Sequence, residues 1–318
     1  MAEAVPCDLS VIVISWNVRE LLIACLDSCL IQPSTTNLVI EVIVVDSASS
    51  DGTPSFIAEH YPQVKLLPQD RNIGFTAGNN IGLRVANGRY ILLLNPDTLV
   101  LDDALYQMVA YLETHSTVGA LGPQTYNPDG SVQSTHRHFP NVATAVFEST
   151  WLQRFAPRRL LDHYYAADIA NDATAEVDWV QGSALMVRRE VYEQIGGLDE
   201  AFIMFSEEMD WCKRIKASGW DIVYLGAAHI IHYGGQSTEQ VTTRKHILFQ
   251  QSKLRYFRKH HGWLIAEFLR IFLLLSYAQQ WIIESVKATI GYKRAMYTER
   301  RNRLQTYRQV IKALAGRI

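Results

Sequence analysis

The chain has 318 residues, 48% hydrophobic and 19% charged, enough for one large domain or a domain with an extension. Its four cysteines, Cys7, Cys25, Cys29 and Cys212, lack zinc spacing, and its N-terminus lacks a basic segment followed by an apolar core; neither a zinc module nor a signal peptide is expected, and a reducing cytoplasm fits. The net charge of −2 conceals a split: residues 242–318 hold 16 Lys and Arg against 3 Asp and Glu, a net +13 beside −15 for the rest. That basic segment is also apolar, which points to an anionic membrane surface rather than nucleic acid.

Residues 9–15 (LSVIVIS) are apolar and β-branched, which predicts a buried strand. Residues 18–30 have helical spacing, with Cys25 and Cys29 one turn apart as packing groups. A second buried strand is expected over 39–45, ending at Asp46, and a helix over 53–60. Strand 64–67, helix 77–86, strand 90–94 and helix 103–115 follow. This alternation implies a parallel sheet covered by helices. Asn127-Pro128-Asp129-Gly130 predicts a hairpin turn. Residues 141–175 give no clear pattern, 176–188 read as a strand, and the chain after His246 reads as helical with one break near Gly291.

Ligands on such sheets sit beyond the carboxyl ends of the strands, where Ser15-Trp16-Asn17, Asp46 and Asn95-Pro96-Asp97 fall. The first turn has no glycine-rich dinucleotide fingerprint and the chain has no phosphate-binding P-loop motif, which argues against a dehydrogenase and a P-loop enzyme. Asp46, on a strand end, suits a base N–H or a ribose hydroxyl; Asp51 reads equally as a turn and helix cap. The loop Asn72-Ile73-Gly74 through Asn79 enters a helix whose N-terminus suits an anion. Asp97 suits a divalent cation bridging a diphosphate. His232 precedes Gly234-Gly235 and could fold over that cation, whereas His229 reads as structural. Glu207, Glu208 and Asp210 crowd three carboxylates into four positions, a costly arrangement unless a cation or a proton transfer uses it. An acidic first helical turn is the plainer explanation of the same residues.

In order, these motifs (Ser15-Trp16-Asn17, Asp46 to Asp51-Gly52-Thr53, the Asn-Ile-Gly-Phe loop, Leu-Asn-Pro-Asp, Gly196 to Glu200, the Glu-Glu-x-Asp cluster and His-x-Gly-Gly-x-Ser) resemble an inverting family 2 glycosyltransferase of the GT-A fold, rhamnosyltransferase-like, over about residues 8–240. The resemblance implies an α/β, Rossmann-like, mostly parallel sheet. It implies a nucleotide site at Ser15, Asn17, Asp46, Asp51, Asn72, Gly74 and Asn79. It implies Mg²⁺ or Mn²⁺ on Asp97 and His232, with Asn95 where the family often has a first Asp. Glu208 matches the catalytic base, with Glu207 as its alternative. Trp179, Gly182 and Trp211 fall to the sugar and acceptor, Trp211 as a stacking surface, and Asp210 orients the helix or binds the acceptor.

The expected organisation is a GT-A domain over 1–241 and a basic, apolar helical extension over 242–318 that touches a membrane or joins subunits. Glu267 and Arg270 inside the apolar run 263–283 favour an interfacial helix over a spanning one. The expected protein moves a sugar, rhamnose from dTDP-rhamnose in the favoured reading, to a glycan or lipid-linked acceptor in cell-surface polysaccharide synthesis. Its place is the cytoplasm, peripheral to the inner membrane face. The alternatives are a UDP-sugar-dependent transferase and a non-catalytic nucleotide-sugar or glycan-binding subunit.

Overall fold

Four short apolar strands, β1 (Leu9–Ser15), β2 (Ile40–Asp46), β3 (Lys65–Pro68) and β4 (Tyr90–Leu94), lie parallel in the order β3-β2-β1-β4. The computed structural model in which they are seen describes residues 7–31, 37–235, 242–290, 292 and 296–316. Gln236 and Ser237 of the last motif, and Gly291, lie outside those residues. Helices α1 (Arg19–Leu30), α2 (Thr53–His60) and α3 (Phe75–Val85) connect the strands. This is the expected alternation, with boundaries moved by one or two residues.

The two faces of β1 explain why all seven of its residues are buried. Leu9, Val11 and Val13 join Leu22, Cys25, Leu26 and Cys29 of α1 in the main core, each fully buried aliphatic group contributing about 1.5–3 kcal/mol. Ile12 and Ile14 face α3, which approaches through Gly78 and Gly82. A Cβ on Gly82 would lie 2.4 Å from Ile12 Cγ2. Both glycines thus serve helix–sheet contact, one turn apart.

Beyond β4 the sheet becomes mixed. Strands β5 (Thr98–Val100), β6 (Val118–Tyr126), β11 (Ala184–Arg188) and β12 (Asp221–His232) complete the order β4-β11-β6-β12-β5. β11 runs antiparallel to both neighbours, and β12 is parallel to β6. Helix α4 (Ala104–Thr114) covers the β6 and β12 region. The Asn127–Gly130 turn leads into β7 (Val132–Gln133), paired with β6 as a hairpin, and β8 (His136–Arg137) follows.

Residues 176–188 are not one strand. β9 (Thr174–Glu176) pairs with β12, while β10 (Trp179–Val180) pairs with β8 in a separate ribbon, ahead of β11. Asp178 accepts the Phe139 N–H, and the Gln181 N–H is bonded to Thr135 O. An apolar run signals burial, not the partner strand, so the change of sheet was invisible in it. Within 141–175 lie α5 (Val142–Phe147), a 3₁₀ turn at Trp151–Phe155 and α6 (Arg158–Tyr164). Helices α7 (Arg189–Ile195) and α8 (Glu207–Ala217) flank the Gly196-Gly197 turn.

The chain divides into two compact units. The first comprises 1–139, 162–203 and 207–237; the second, 140–161, 204–206 and 238–318. In the second, α9 (Thr242–His261), α10 (Trp263–Thr289) and α11 (Tyr297–Ala315) pack on one another. Gly262, at φ 90°, separates α9 from α10, a break the sequence reading did not place. Among the described residues no helix is long and apolar enough to cross a membrane.

Candidate active site

The strand ends expected to carry the site lie side by side. Ser15 and Asp46 are register partners, and the Ser47 N–H is bonded to Ser15 O at 2.8 Å. Asp46 is fully buried, with Oδ2 accepting the Ser49 N–H at 2.9 Å. Asp46 Oδ1 and the hydroxyls of Ser15 and Ser47 are buried with no hydrogen-bond partner among the described residues. Each such group costs about 1–3 kcal/mol, so three together make this strand edge a candidate for a polar ligand. Asn17 (φ 53°) and Ala48 (φ 59°) hold left-handed backbone here, which costs energy for a non-glycine residue. Asn17 Oδ1 accepts the Ser50 N–H and its own N–H reaches Ser49 Oγ, clamping the two loops together.

Other residues of the expected nucleotide set support the loops. Asp51 accepts from the Arg19 N–H, the Thr53 N–H and the Thr53 hydroxyl, which also holds its carboxyl below the usual range despite partial burial. Asn72 Oδ1 accepts the Gly74 N–H, and Gly74 enters α3 at φ 81°. Asn79 is buried and donates to Phe75 O. Its neighbour Asn80 does more: it donates to Leu198 O and Glu200 Oε1 and accepts the Leu198 N–H. This clip joins α3 to the Gly196–Glu200 motif, 118 residues away along the chain. Gly197 is required beside it, because a Cβ there would lie 2.5 Å from Asn80 Oδ1.

Asp97 and His232 meet. His232 Nε2 is 3.3 Å from Asp97 Oδ1 and 3.2 Å from Asn95 Nδ2, and the Tyr233 N–H is bonded to Asp97 O. The tautomer of His232 follows from Gln133. Gln133 Nε2 donates to Asn127 Oδ1 at 2.7 Å and His232 O at 2.6 Å, which orients its amide. Gln133 Oε1 therefore faces His232 Nδ1 at 3.0 Å, and Nδ1 must donate. In that tautomer the Nε2 lone pair faces Asn95 Nδ2, with Asp97 Oδ1 beside it. Two electron-rich atoms on one point suit a divalent cation. Among the described residues no group of three or more His, Cys, Asp or Glu converges to hold one. A cation held by Asp97 and His232 would need further ligands from substrate or water. Gln133 has no sequence signature; only its place on the hairpin after Asn127–Gly130 brings it to His232.

Asn95 links this pair to the carboxylates. Its N–H is bonded to Ser183 O at 3.0 Å, and the adjacent Gly182 packs on Glu208, where a Cβ would lie 3.6 Å from Glu208 Cβ. Burial pushes the carboxyls of both Glu207 and Glu208 up, and for Glu207 the Glu208 charge adds to it. The backbone N–H groups of Gly182, Met209 and Glu208 itself oppose the rise at Glu208. Both carboxyls are therefore held above the usual glutamate range. The outer oxygens of both, Oε2, have no hydrogen-bond partner among the described residues.

Asp210 and Trp211 turn inward instead of toward a sugar. Asp210 is fully buried and pairs with Arg214 at 2.9 Å, and Arg214 donates to Ile195 O and Gly197 O. Trp211 is fully buried and donates to Gly196 O, so neither ring face is open for stacking. On a helix, four successive residues cover all sides; with Glu208 facing Gly182, Asp210 and Trp211 are left to the interior. Trp179 is buried too, donating to His138 O.

A model of the family described as Glycosyl transferase family 2 matches residues 10–196. The N-acetylglucosaminyl-diphospho-decaprenol L-rhamnosyltransferase of Mycobacterium tuberculosis is 29% identical over 241 residues, 72% of this chain and 78% of that one. The rhamnosyltransferase WbbL of Escherichia coli (strain K12) is 27% identical over 212 residues, 63% of this chain and 75% of that one. Among solved structures, the mannosyltransferase PcManGT from Pyrobaculum calidifontis in complex with GDP-Man and Mn²⁺ superposes with a TM-score of 0.57 at 20% identity, over 96% of this chain and 85% of that one. GalNAc-T7 with UDP, GalNAc and Mn²⁺ gives 0.58 at 14% identity, over 79% and 48%. These two likenesses establish the fold.

Proposed function

Since the chain belongs to glycosyl transferase family 2, we propose that it is a metal-dependent, inverting sugar transferase acting on a lipid-linked acceptor in cell-surface polysaccharide synthesis. The observation that carries this reading is the continuous run of contacts from Asp97 and His232 through Asn95, Ser183 and Gly182 to Glu208. It joins a place for a diphosphate's counter-ion to a raised, partly desolvated carboxylate.

In the proposed reaction the acceptor oxygen bonds to the anomeric carbon as that carbon's bond to the diphosphate oxygen breaks. Glu208 takes the acceptor proton, and the nucleoside diphosphate leaves with the bonding pair. Asp46 and the Ser15 and Ser47 hydroxyls hold the nucleotide's polar edge. A cation on Asp97 and His232 would offset the charge developing on the leaving group. Rhamnose is the favoured sugar because both relatives described above are rhamnosyltransferases; a UDP-sugar is the alternative donor. A decaprenol-linked acceptor in the first relative's name supports a lipid-linked acceptor here. The proposed place is the inner face of the cell membrane, reached through the basic α9–α11 segment.

Thermal denaturation with dTDP, UDP, GDP or CMP, each with and without Mn²⁺, tests the donor site, because a ligand of the folded state must raise Tm. Selective, Mn²⁺-dependent stabilisation by dTDP supports the reading. Preference for UDP moves the donor within the class. No response to any nucleotide removes the donor site and favours a glycan-binding subunit.

A further inference from the structure

The second unit contains a cavity of about 870 Å³, of the size that takes small-molecule ligands, and nothing in the transfer chemistry above uses it. Five aromatic rings line it: Trp151, Phe205, Phe249, Tyr277 and Tyr307. Leu273 and Ser276 of α10 form part of its wall, and Lys245 of α9 brings a positive charge. Two lining residues carry buried polar atoms with no hydrogen-bond partner among the described residues, Trp151 Nε1 and Gln250 Oε1. Gln250 is 3% exposed, and its amide nitrogen is 3.1 Å from Tyr277 Oη. The tyrosine hydroxyl donates or accepts equally well, so turning the amide over keeps that bond and frees its N–H groups instead.

A lining of rings and a leucine wants an apolar body. The indole N–H and the Lys245 ammonium are donors and want an anion, and the Gln250 amide can turn to meet it. One molecule with both ends is an isoprenoid carrying a phosphate or diphosphate. We propose that this cavity binds the prenyl diphosphate end of the lipid-linked acceptor; the inference rests on the acceptor reading above. The donor nucleotide belongs to the Asp46 edge in the other unit, so the cavity serves a different ligand.

The test titrates the full chain with farnesyl diphosphate in EDTA, where a metal-supported diphosphate site elsewhere is silent, followed by calorimetry. Farnesol and inorganic pyrophosphate are the controls for the two ends. Farnesyl diphosphate should bind at least about tenfold more tightly than either control, since each end supplies more than about 1.4 kcal/mol. Ser276→Trp fills the cavity and should abolish binding. Trp151→Phe removes only the N–H and should weaken binding about tenfold, the usual cost of a hydrogen bond to a charged group; it decides the matter if Ser276→Trp does not fold. Equal affinity for pyrophosphate, or unchanged farnesyl diphosphate binding in both variants, overturns the proposal. Nucleotide-dependent stabilisation of the same proteins reads the donor site separately, so the two readings fail independently.

Discussion

Glu207 and Glu208 are chemically identical, and their surroundings give them different tasks. Three backbone N–H groups favour the charged form of Glu208, whereas Glu207 has only its own, and the neighbouring Glu208 charge opposes its ionisation. Glu208→Gln should lower transfer by about 10²–10⁴-fold, the usual worth of a general base, while nucleotide-dependent stabilisation stays intact. Full activity in that variant sinks the base assignment. Glu207→Gln should instead keep transfer and stabilise the fold. The sign follows from linkage: with its folded pKa raised, Glu207 favours folding only below the ordinary glutamate pKa, and that contribution fades as pH climbs toward the folded value. The variant's advantage in Tm should therefore be absent near pH 4 and grow above it. A Tm difference that does not change with pH shows that Glu207 titrates normally.

Gln133 carries a second prediction at this scale. Gln133→Leu removes the acceptor that makes His232 Nδ1 a donor, so Nε2 no longer has a fixed lone pair. Mn²⁺ affinity, followed by electron paramagnetic resonance, should fall about 10–100-fold, as for other groups that orient a ligand histidine. Unchanged affinity removes the role. The difference between Glu208 and Gln133 also shows what a sequence can disclose. A carboxylate cluster at a helix start and an Asp on a strand end have costs visible in the residues themselves. Gln133 acts on His232 and Asn80 on Leu198, partners 99 and 118 residues away. A polar residue in a hairpin or helix has no local cost that flags it.

At the scale of elements, β1 through α4 were legible because each strand is a short β-branched run and each helix has apolar spacing. α3 shows a subtler case. Gly78 and Gly82 are spaced to let the helix rest on Ile14 and Ile12, a role no local pattern announces. Gly82→Ala should destabilise the fold by about 1–3 kcal/mol through overpacking, measured by denaturant unfolding. Ile12→Ala removes the opposing methyl groups, so the double variant should lose less than the sum of the single losses. Strict additivity shows that the contact is not what Gly82 serves. The antiparallel β11 and the ribbon of β8 with β10 escaped the reading because buried strands show no polar alternation to reveal direction or partner.

At the scale of the whole molecule, charge and the two faces of α10 act together. Ala266, Leu269 and Leu273 are buried on one face, while Leu264, Phe268, Ile271, Leu275, Ile282 and Val286, three, four or seven residues apart, are exposed on the other. Glu267 and Arg270, which made the sequence look unfit for apolar contact on all sides, pair with each other. A helix apolar on both faces is suited to an outer partner, and exposed Trp263 and Trp281 suit a headgroup boundary. The net +13 of residues 242–318 favours an anionic lipid surface over a second copy of the same basic segment, which it would repel. The protein should co-sediment with vesicles containing phosphatidylglycerol, weakly with phosphatidylcholine alone, and less as salt rises. Leu264→Ser with Leu275→Ser should reduce vesicle binding severalfold and leave nucleotide-dependent stabilisation unchanged. If the double variant instead dissociates an oligomer, seen by light scattering, and binds vesicles as before, the outer face of α10 is a subunit contact.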